Sequence, residues 1–180
     1  FFYRIRKLDT TKLSPIDRAA RMLYLNRTCF NGLYRVNRGG QFNVPFGRYS
    51  NPVICNADNL RNVQHALQPV ELQSWGFETV LESAATGDFL YFDPPYQPVT
   101  RTARFTQYTA EPFNESHQGR LNEIVRMLDR RGCLVMISNS DTPLVHELYK
   151  GFDIQIVQAP RAINRDGTRR GTVPEVVIRN

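Results

Sequence analysis

The residues best suited to chemistry lie in a short stretch, residues 90–96, which reads Leu-Tyr-Phe-Asp-Pro-Pro-Tyr. A carboxylate, Asp93, follows an apolar run directly, and two rigid prolines, Pro94 and Pro95, separate it from the ring of Tyr96. The carboxylate, and a carbonyl whose direction is set by proline rings, can together accept hydrogen bonds from both N–H groups of an exocyclic amine. The ring of Tyr96 offers a flat face on which an extruded base can stack.

Such a slot suits methyl transfer to the amino nitrogen of adenine. The lone pair of that nitrogen is delocalised into the ring, so a site must accept both N–H groups and draw the nitrogen towards tetrahedral geometry. Stacking on an aromatic ring contributes about 1–3 kcal/mol, which is comparable to the cost of unstacking a base. A purely structural interpretation also exists, because a strand can end in Asp-Pro and Pro-Pro stops regular structure. It accounts for neither the tyrosine nor the apolar strand that leads into the acid.

The elements that must position Asp93 alternate between strand and helix from residue 88 onward. Strands are predicted at 88–92, 133–137, 154–157 and 176–178, and helices at 116–130 and 141–150. This alternation predicts an α/β layer with a largely parallel sheet. Such sheets bind ligands beyond the carboxyl ends of their strands, and Asp93 lies at such an end.

The first part of the chain has different patterns. Ser14 as N-cap and Pro15 at the first helical position predict a helix that fades near residue 30. Residues 33–44 fit a hairpin with its turn at 37–40. A further helix is predicted at 58–67 and a strand at 76–82.

Composition narrows the class of protein. The chain has 180 residues, 41% of them hydrophobic, which suits one domain with a small insert. No apolar run approaches about 18 residues, so we expect no membrane partner. The cysteines and histidines are scattered without metal-ligand spacing, which predicts no metal and fits a reducing cytoplasm. The net charge of +6, carried mostly by arginine, favours a polyanionic partner.

Several motifs together resemble one family. Asp-Pro-Pro-Tyr at 93–96 is similar to the catalytic motif of amino-methyltransferases that act on DNA adenine. Residues 25–37 and 40–49 resemble the target-recognition region of Dam-type DNA adenine methyltransferases. Three further features resemble the same family. Residues 105–108 resemble the loop after the catalytic motif, and residues 137–142 resemble the next strand end. Residues 167–170, followed by residues 174–177, resemble a C-terminal hairpin.

The resemblance implies a fold, a reaction and partners. The fold is a partial Rossmann-like methyltransferase sheet of the α/β class with a small helical and β-hairpin target-recognition insert. Residues 1–72 would form the target-recognition region, and residues 73–180 the C-terminal part of the catalytic domain. The implied reaction uses S-adenosylmethionine (SAM) to methylate a flipped adenine in double-stranded DNA, usually within GATC. A cognate restriction endonuclease is a further candidate partner.

The resemblance also implies site residues. The adenine slot would be formed by Asp93, Pro94, Pro95 and Tyr96. SAM would be contacted by Asp93, Glu82 and Ser83. DNA would be contacted by Phe30, Asn31, Leu33, Arg35, Pro45, Arg48, Tyr49, Tyr108 and Arg169. Arg35 would read a guanine edge, since an arginine fork on O6 and N7 is the commonest specific contact.

Purely structural interpretations of these residues also stay open. The residues of the 30–49 region could form an ordinary turn or carry solvated charge, and the pair at 82–83 could be a strand-end turn. Tyr108 could belong to the core, and Arg169 to a solvated loop.

The resemblance does not extend to every family motif. The glycine-rich SAM loop, Phe-x-Gly-x-Gly, does not occur in this sequence. We therefore expect an N-terminally truncated piece with an exposed apolar sheet edge, which alone binds SAM weakly or not at all. Two alternatives remain: a non-catalytic DNA-binding remnant, and a protein or RNA amino-methyltransferase.

Overall fold

The computed structural model describes residues 1–99, 113–160 and 171–180. These residues form two compact units, divided between Ser74 and Trp75. Helices of the first unit are α1 (Phe2–Arg6), α2 (Pro15–Thr28) and α3 (Ala57–Ala66). Helices of the second unit are α4 (Val80–Ser83), α5 (Glu115–Arg130) and α6 (Pro143–Leu148), and its strands are β1 (Phe89–Phe92), β2 (Leu134–Ser140), β3 (Asp153–Pro160) and β4 (Thr172–Arg179).

Helix α2 begins where the sequence predicts. The Ser14 hydroxyl accepts a hydrogen bond from the Asp17 backbone N–H, and Pro15 takes the first helical position, where no N–H is needed. The helix ends at Thr28, before an extended Cys29. The predicted helix at 58–67 is present as α3, with the Asn56 side chain capping it.

The predicted hairpin is present but short. Val36 and Phe42 form an isolated antiparallel bridge rather than part of two full strands. The side-chain oxygen of Asn37 closes the turn by accepting hydrogen bonds from the N–H groups of Gly39 and Gln41. The core of the first unit contains five buried residues, Phe2, Leu25, Cys29, Phe42 and Val44.

The sheet of the second unit has the strand order β1-β2-β4-β3. Strands β1 and β2 are parallel, whereas β4 is antiparallel to both β2 and β3. The expectation of a largely parallel sheet was therefore wrong for the described strands. Eleven residues separate Pro160 from Thr172, and a parallel crossover needs a dozen or more. The predicted C-terminal hairpin is the β3–β4 pair.

The core of the second unit lies between one face of the sheet and helices α5 and α6. Helix α5 buries Leu121, Ile124, Val125 and Leu128 along one stripe, the face that its 3.6-residue period predicts. These side chains pack against alternate residues of β2 and β4, including Ile137. The result is an α/β layer that holds the carboxyl end of β1 in place.

The predicted strand at 76–82 was wrong, because the segment forms a 3-10 turn at Phe77–Thr79 followed by α4. The apolar residues Phe77, Val80, Leu81 and Ala84 all pack against the core. Their spacing is that of a helix and not that of a strand. The Arg131 guanidinium stabilises the segment by donating to the carbonyls of Leu81 and Ala84, both at 2.7 Å.

The other face of the sheet is apolar and open at its β1 edge. Phe89, Tyr91 and Leu134 are exposed by 61%, 56% and 58% within the described residues. In residues 1–99, 113–160 and 171–180, no helix is both long and apolar enough to cross a membrane.

Candidate adenine slot and recognition loops

The carboxylate of Asp93 is exposed directly after β1 and is held by one neighbour. The Ser138 hydroxyl of β2 donates to Asp93 Oδ1 at 2.7 Å and accepts from the Tyr91 hydroxyl at 2.9 Å. Tyr91 and Asp93 are two positions apart, so they lie on the same side of the strand. These two hydrogen bonds fix the carboxylate oxygen Oδ1, while Oδ2 accepts no hydrogen bond from a described residue. The free oxygen is available to an incoming donor.

The ring of Tyr96 is half-buried beside this carboxylate. Burial raises the pKa of the Tyr96 phenol, and the carboxylates of Glu175 and Asp93 raise it further, against a hydrogen bond with Ser138 that lowers it. The phenol is therefore neutral at physiological pH. Asp93, Ser138 and Tyr96 thus form one cluster at the carboxyl ends of β1 and β2, the place that parallel strands provide for ligands.

In the first unit, two loops that the sequence singled out lie side by side. Phe30 N–H donates to the Pro45 carbonyl at 2.9 Å, and Gly47 N–H donates to the Thr28 carbonyl at 2.8 Å. The Tyr49 hydroxyl accepts from the Asn31 N–H at 2.8 Å. We call these paired segments, residues 28–33 and 44–49, the recognition loops.

The recognition loops have an unusual backbone. Asn31 and Arg48 have φ of 53° and 57°, in the left-handed region that is uncommon for residues other than glycine. Between the loops, a Cβ atom on Gly47 would lie 2.6 Å from the Cys29 carbonyl oxygen, so the close approach of the loops requires glycine there. Phe30 and Tyr49 remain 50% and 45% exposed, so their side chains are accessible from solvent.

Arg35 lies on the hairpin next to these loops and is held by Asn43. Its Nε donates to Asn43 Oδ1 at 2.7 Å, and its Nη2 donates weakly to the Asn43 carbonyl at 3.5 Å. The Nε bond sets the plane of the guanidinium and leaves its outer N–H groups largely available. A planar fork oriented in this way is what bidentate recognition of guanine requires.

Not every predicted site residue joins these clusters. Leu33 is half-buried against the core of the first unit. Glu82 and Ser83 are exposed on α4, next to the segment that Arg131 binds, near the amino end of β1 rather than beside Asp93. Tyr108 and Arg169 lie outside the described residues.

Two residues of the slot were missed by sequence reasoning. Ser138 and Tyr91 orient Asp93, yet Tyr91 was interpreted only as part of an apolar strand. The two-residue period of a strand could have placed Tyr91 on the face of Asp93. No sequence signal could have paired Asp93 or Tyr91 with Ser138, which lies 45 residues beyond Asp93.

The basic charge of the chain is concentrated in one unit. Residues 1–74 contain eleven basic and four acidic residues, whereas residues 75–180 contain twelve and thirteen. The unit with the recognition loops is therefore the one with the electrostatic character of a nucleic-acid-binding surface.

A family model described as D12 class N6 adenine-specific DNA methyltransferase matches residues 1–163. The chain belongs to this family. The predicted family, and a methyltransferase fold of the α/β class, are thereby confirmed. The motif at 93–96 is the part of this D12-class chain where an adenine-directed carboxylate is expected.

Relatives of this D12-class chain carry related names. It is 43% identical over 171 residues to the Type II methyltransferase M1.LlaDCHI of Lactococcus lactis subsp. cremoris, covering 94% of this chain and 60% of the relative. It is also 43% identical over 185 residues to the Type II methyltransferase M.MjaIII of Methanocaldococcus jannaschii, covering 100% and 64%. Identity to the DNA adenine methylase of Escherichia coli (strain K12) is 36% over 179 residues, covering 98% and 63%. The chain thus spans about three fifths of the length of these relatives.

Proposed function

We propose that this chain is the target-recognising and catalytic part of a site-specific enzyme that methylates adenine N6 in double-stranded DNA, within GATC. The observation that carries the proposal is the exposed carboxylate of Asp93, fixed by Ser138 at the end of β1 and followed by Pro94 and the ring of Tyr96. The alternatives, a non-catalytic DNA-binding remnant and a protein or RNA methyltransferase, lack such a supporting observation.

Each group of the slot has a defined task. Asp93 Oδ2 accepts one amino hydrogen of the flipped adenine, and the Pro94 carbonyl accepts the other. Tyr96 stacks on the base, and its phenol stays neutral because burial raises its pKa. Two acceptors on one amino group draw its nitrogen out of conjugation, which makes its lone pair available to form the bond to the methyl carbon. As that bond forms, the bond from the methyl carbon to sulfur breaks and leaves a neutral thioether, and the nitrogen releases one proton towards its acceptors.

The charges near the slot fit SAM as the methyl donor. The sulfonium of SAM is cationic. Two carboxylates, Asp93 and Glu175, lie near enough to the Tyr96 phenol to raise its pKa. Bound SAM supplies an electrophilic methyl group. Asp93 would face this donor from the side of the slot. Glu82 and Ser83, by the family resemblance, are proposed for the adenine end of the elongated donor molecule.

The recognition loops and the hairpin would read the site. Arg35, oriented by Asn43, is proposed for a guanine, and Leu33 and Pro45 for a thymine methyl. Asn31, Arg48 and Tyr49 are proposed for neighbouring bases or phosphates, and Phe30 for the space that the flipped base leaves. Tyr108 and Arg169 stay proposed DNA contacts from the resemblance.

The test uses the longest protein that the reading frame of this chain encodes. Labelled SAM and a GATC duplex should give label on adenine N6, and a change of any one base pair in GATC should lower transfer. Asp93→Ala should lower kcat by about 100- to 1,000-fold, the usual effect of removing one group that binds developing charge.

A matched control is Asp153→Asn, which changes an exposed acid on the same sheet that pairs with Arg179. It should leave transfer unchanged. Asp93→Ala with a wild-type rate would remove the slot from the mechanism. Tight duplex binding by a wild-type protein that transfers no label would favour the DNA-binding remnant.

A cognate restriction endonuclease is proposed as a partner because two relatives are named Type II methyltransferases. A neighbouring gene product that cuts the unmethylated duplex and spares the methylated one would identify it.

A further inference from the structure

Two buried amides connect the core of the second unit to the loop that carries Tyr96. Gln118 on α5 and Asn139 on β2 are 1% and 0% exposed. Gln118 Nε2 donates to the Pro95 carbonyl at 3.0 Å, and Asn139 Oδ1 accepts from the Gln97 N–H at 2.9 Å. The two side chains are joined, because Asn139 Nδ2 donates to Gln118 Oε1 at 3.1 Å.

The bonds hold the two peptide groups that flank Tyr96. The Pro95 carbonyl belongs to the peptide before Tyr96, and the Gln97 N–H belongs to the peptide after it. Fixing both peptide planes fixes φ and ψ of Tyr96, and hence the direction of its Cα–Cβ bond. The amide pair therefore sets where the ring stands without touching the ring.

The direction of this hydrogen-bond chain is fully determined. A carbonyl can only accept and a backbone N–H can only donate, so Gln118 must present its nitrogen to Pro95 and Asn139 its oxygen to Gln97. The remaining nitrogen of Asn139 then meets the remaining oxygen of Gln118. Asn139 Oδ1 also accepts from the Ser140 N–H at 2.9 Å, which anchors the chain to β2.

Burying an amide side chain costs free energy unless its polar groups form hydrogen bonds. Helix α5 already packs on the sheet through four buried apolar residues, so apolar side chains at 118 and 139 would serve the core equally well. What the amides add is a bond to the loop at 95–97. Their position is explained by the loop and not by the core.

We propose that Gln118 and Asn139 are positioning residues for the adenine slot, holding the ring of Tyr96 at the angle that a flipped base needs. The inference rests on the proposed function of that slot. Loss of the pair should lower kcat and leave the affinity for DNA unchanged, since the recognition loops belong to the other unit.

The most informative variant is Gln118→Glu, because it keeps the shape of the side chain and replaces the amide donor with a carboxyl group. A protonated carboxyl can still donate to the Pro95 carbonyl, whereas an ionised one places acceptor against acceptor. Burial raises the pKa of a carboxyl, so the protonated form persists near about pH 6. We expect kcat close to that of the unchanged enzyme at this pH, and a fall of about 10- to 100-fold relative to it near about pH 8.5.

The matched control is Asn122→Asp on the same helix. Asn122 is also buried, at 8% exposure, but its amide donates to the Leu148 carbonyl at 2.7 Å and accepts from Arg126 Nε at 3.1 Å, so neither bond reaches the loop. An aspartate at 122 can pair with Arg126, and the variant should show no pH-dependent loss of kcat. An equal kcat loss in both variants would overturn the proposal, because the effect would then belong to the fold as a whole.

Exchange of the Gln97 amide hydrogen reports on the bond to Asn139, at the other end of the amide pair, without any methyl transfer. Its protection factor should fall in Gln118→Glu at about pH 8.5 and recover near about pH 6; unchanged protection, with unchanged kcat, would overturn the proposal. A wild-type enzyme that transfers no methyl group, yet shows this exchange pattern, would refute the proposed function alone. If the glutamate variant does not fold, Gln118→Met should give a kcat loss that does not vary with pH.

Discussion

The two units of this D12-class chain position their candidate functional residues in different ways. The second unit has a core of eleven buried residues, built from one helical stripe and alternating strand positions. Its slot residues extend from the ends of those regular elements. The first unit has a core of five buried residues, and its recognition loops are held by individual hydrogen bonds and one close backbone approach at Gly47.

Under the proposed function, the difference follows from what each unit contacts. A slot for one base can be built around a fixed point, so buried packing and buried amides suit it. A surface that reads a duplex must keep its side chains exposed, as Phe30 and Tyr49 are, and cannot bury them for stability. We expect the recognition loops to open at lower free energy than the sheet.

The free cysteines provide a reporter for each unit. Cys29 is buried in the first core, Cys133 is buried in the second, and Cys55 is exposed. Burial raises the pKa of the Cys29 thiol, so it reacts only when its surroundings open. Labelling of Cys29 and Cys133, relative to Cys55 as internal standard, therefore measures the opening of each unit, with about 1.4 kcal/mol for each tenfold change in rate.

The largest effect is expected from Leu128→Ala. This side chain is fully buried in the second core, and its removal should cost about 2–5 kcal/mol of stability through lost burial and the cavity that remains. Labelling of Cys133 should accelerate by at least about tenfold, while that of Cys29 should stay unchanged. Met127→Ala, an exposed position on the same helix, is the control. Equal acceleration of both cysteines would show that the units open together, which would remove the contrast.

A smaller effect, on the other unit, is expected from Gly47→Ala. The added Cβ would approach the Cys29 carbonyl oxygen to 2.6 Å and the Tyr49 ring to 2.5 Å, and the strain should cost about 1–3 kcal/mol. Cys29 labelling should accelerate and duplex affinity should fall, with Cys133 unaffected. The control is Gly39→Ala, where the nearest atom is 3.4 Å away. Full duplex affinity in Gly47→Ala would mean that the loop pairing does not matter for recognition.

The same contrast explains what could be predicted from the sequence. Helix α2 was predicted from Ser14 and Pro15, since capping is local, and α5 from its apolar period. Helix α2 nevertheless leaves the apolar side chain of Ile16 81% exposed and buries Leu25 in the core. In a helix with few apolar residues, tertiary contacts rather than periodicity determine which face is buried.

Within the site, residues in sequence motifs could be proposed and their supports could not. Asp93 and Tyr96 lie three positions apart in one motif, so their types alone suggest chemistry. The bonds from Ser138 and Gln118 join positions 45 and 23 residues apart, and no local pattern encodes such pairings. The left-handed backbone of Arg48 is likewise invisible, because arginine carries no general preference for it.

The smallest effect is expected from Tyr49→Phe, which tests whether single hydrogen bonds hold the recognition loops. The change removes only the hydroxyl that accepts from the Asn31 N–H and keeps the ring. An intramolecular hydrogen bond contributes about 0.5–1.5 kcal/mol, so Cys29 labelling should accelerate by about two- to tenfold. Tyr34→Phe, whose hydroxyl bonds to no described residue, is the control.

The duplex affinity of Tyr49→Phe then separates two tasks of this residue. The left-handed Asn31 backbone should relax once its N–H loses the acceptor, so the position of the Asn31 side chain becomes less defined. If the hydroxyl serves only this internal bond, discrimination among duplexes altered within GATC should weaken while affinity for unrelated duplex stays constant. If both fall together, the hydroxyl contacts DNA directly, and the internal bond seen here is exchanged for a phosphate on binding. Unchanged labelling and unchanged discrimination would mean that the loops, like the sheet, are held chiefly by packing.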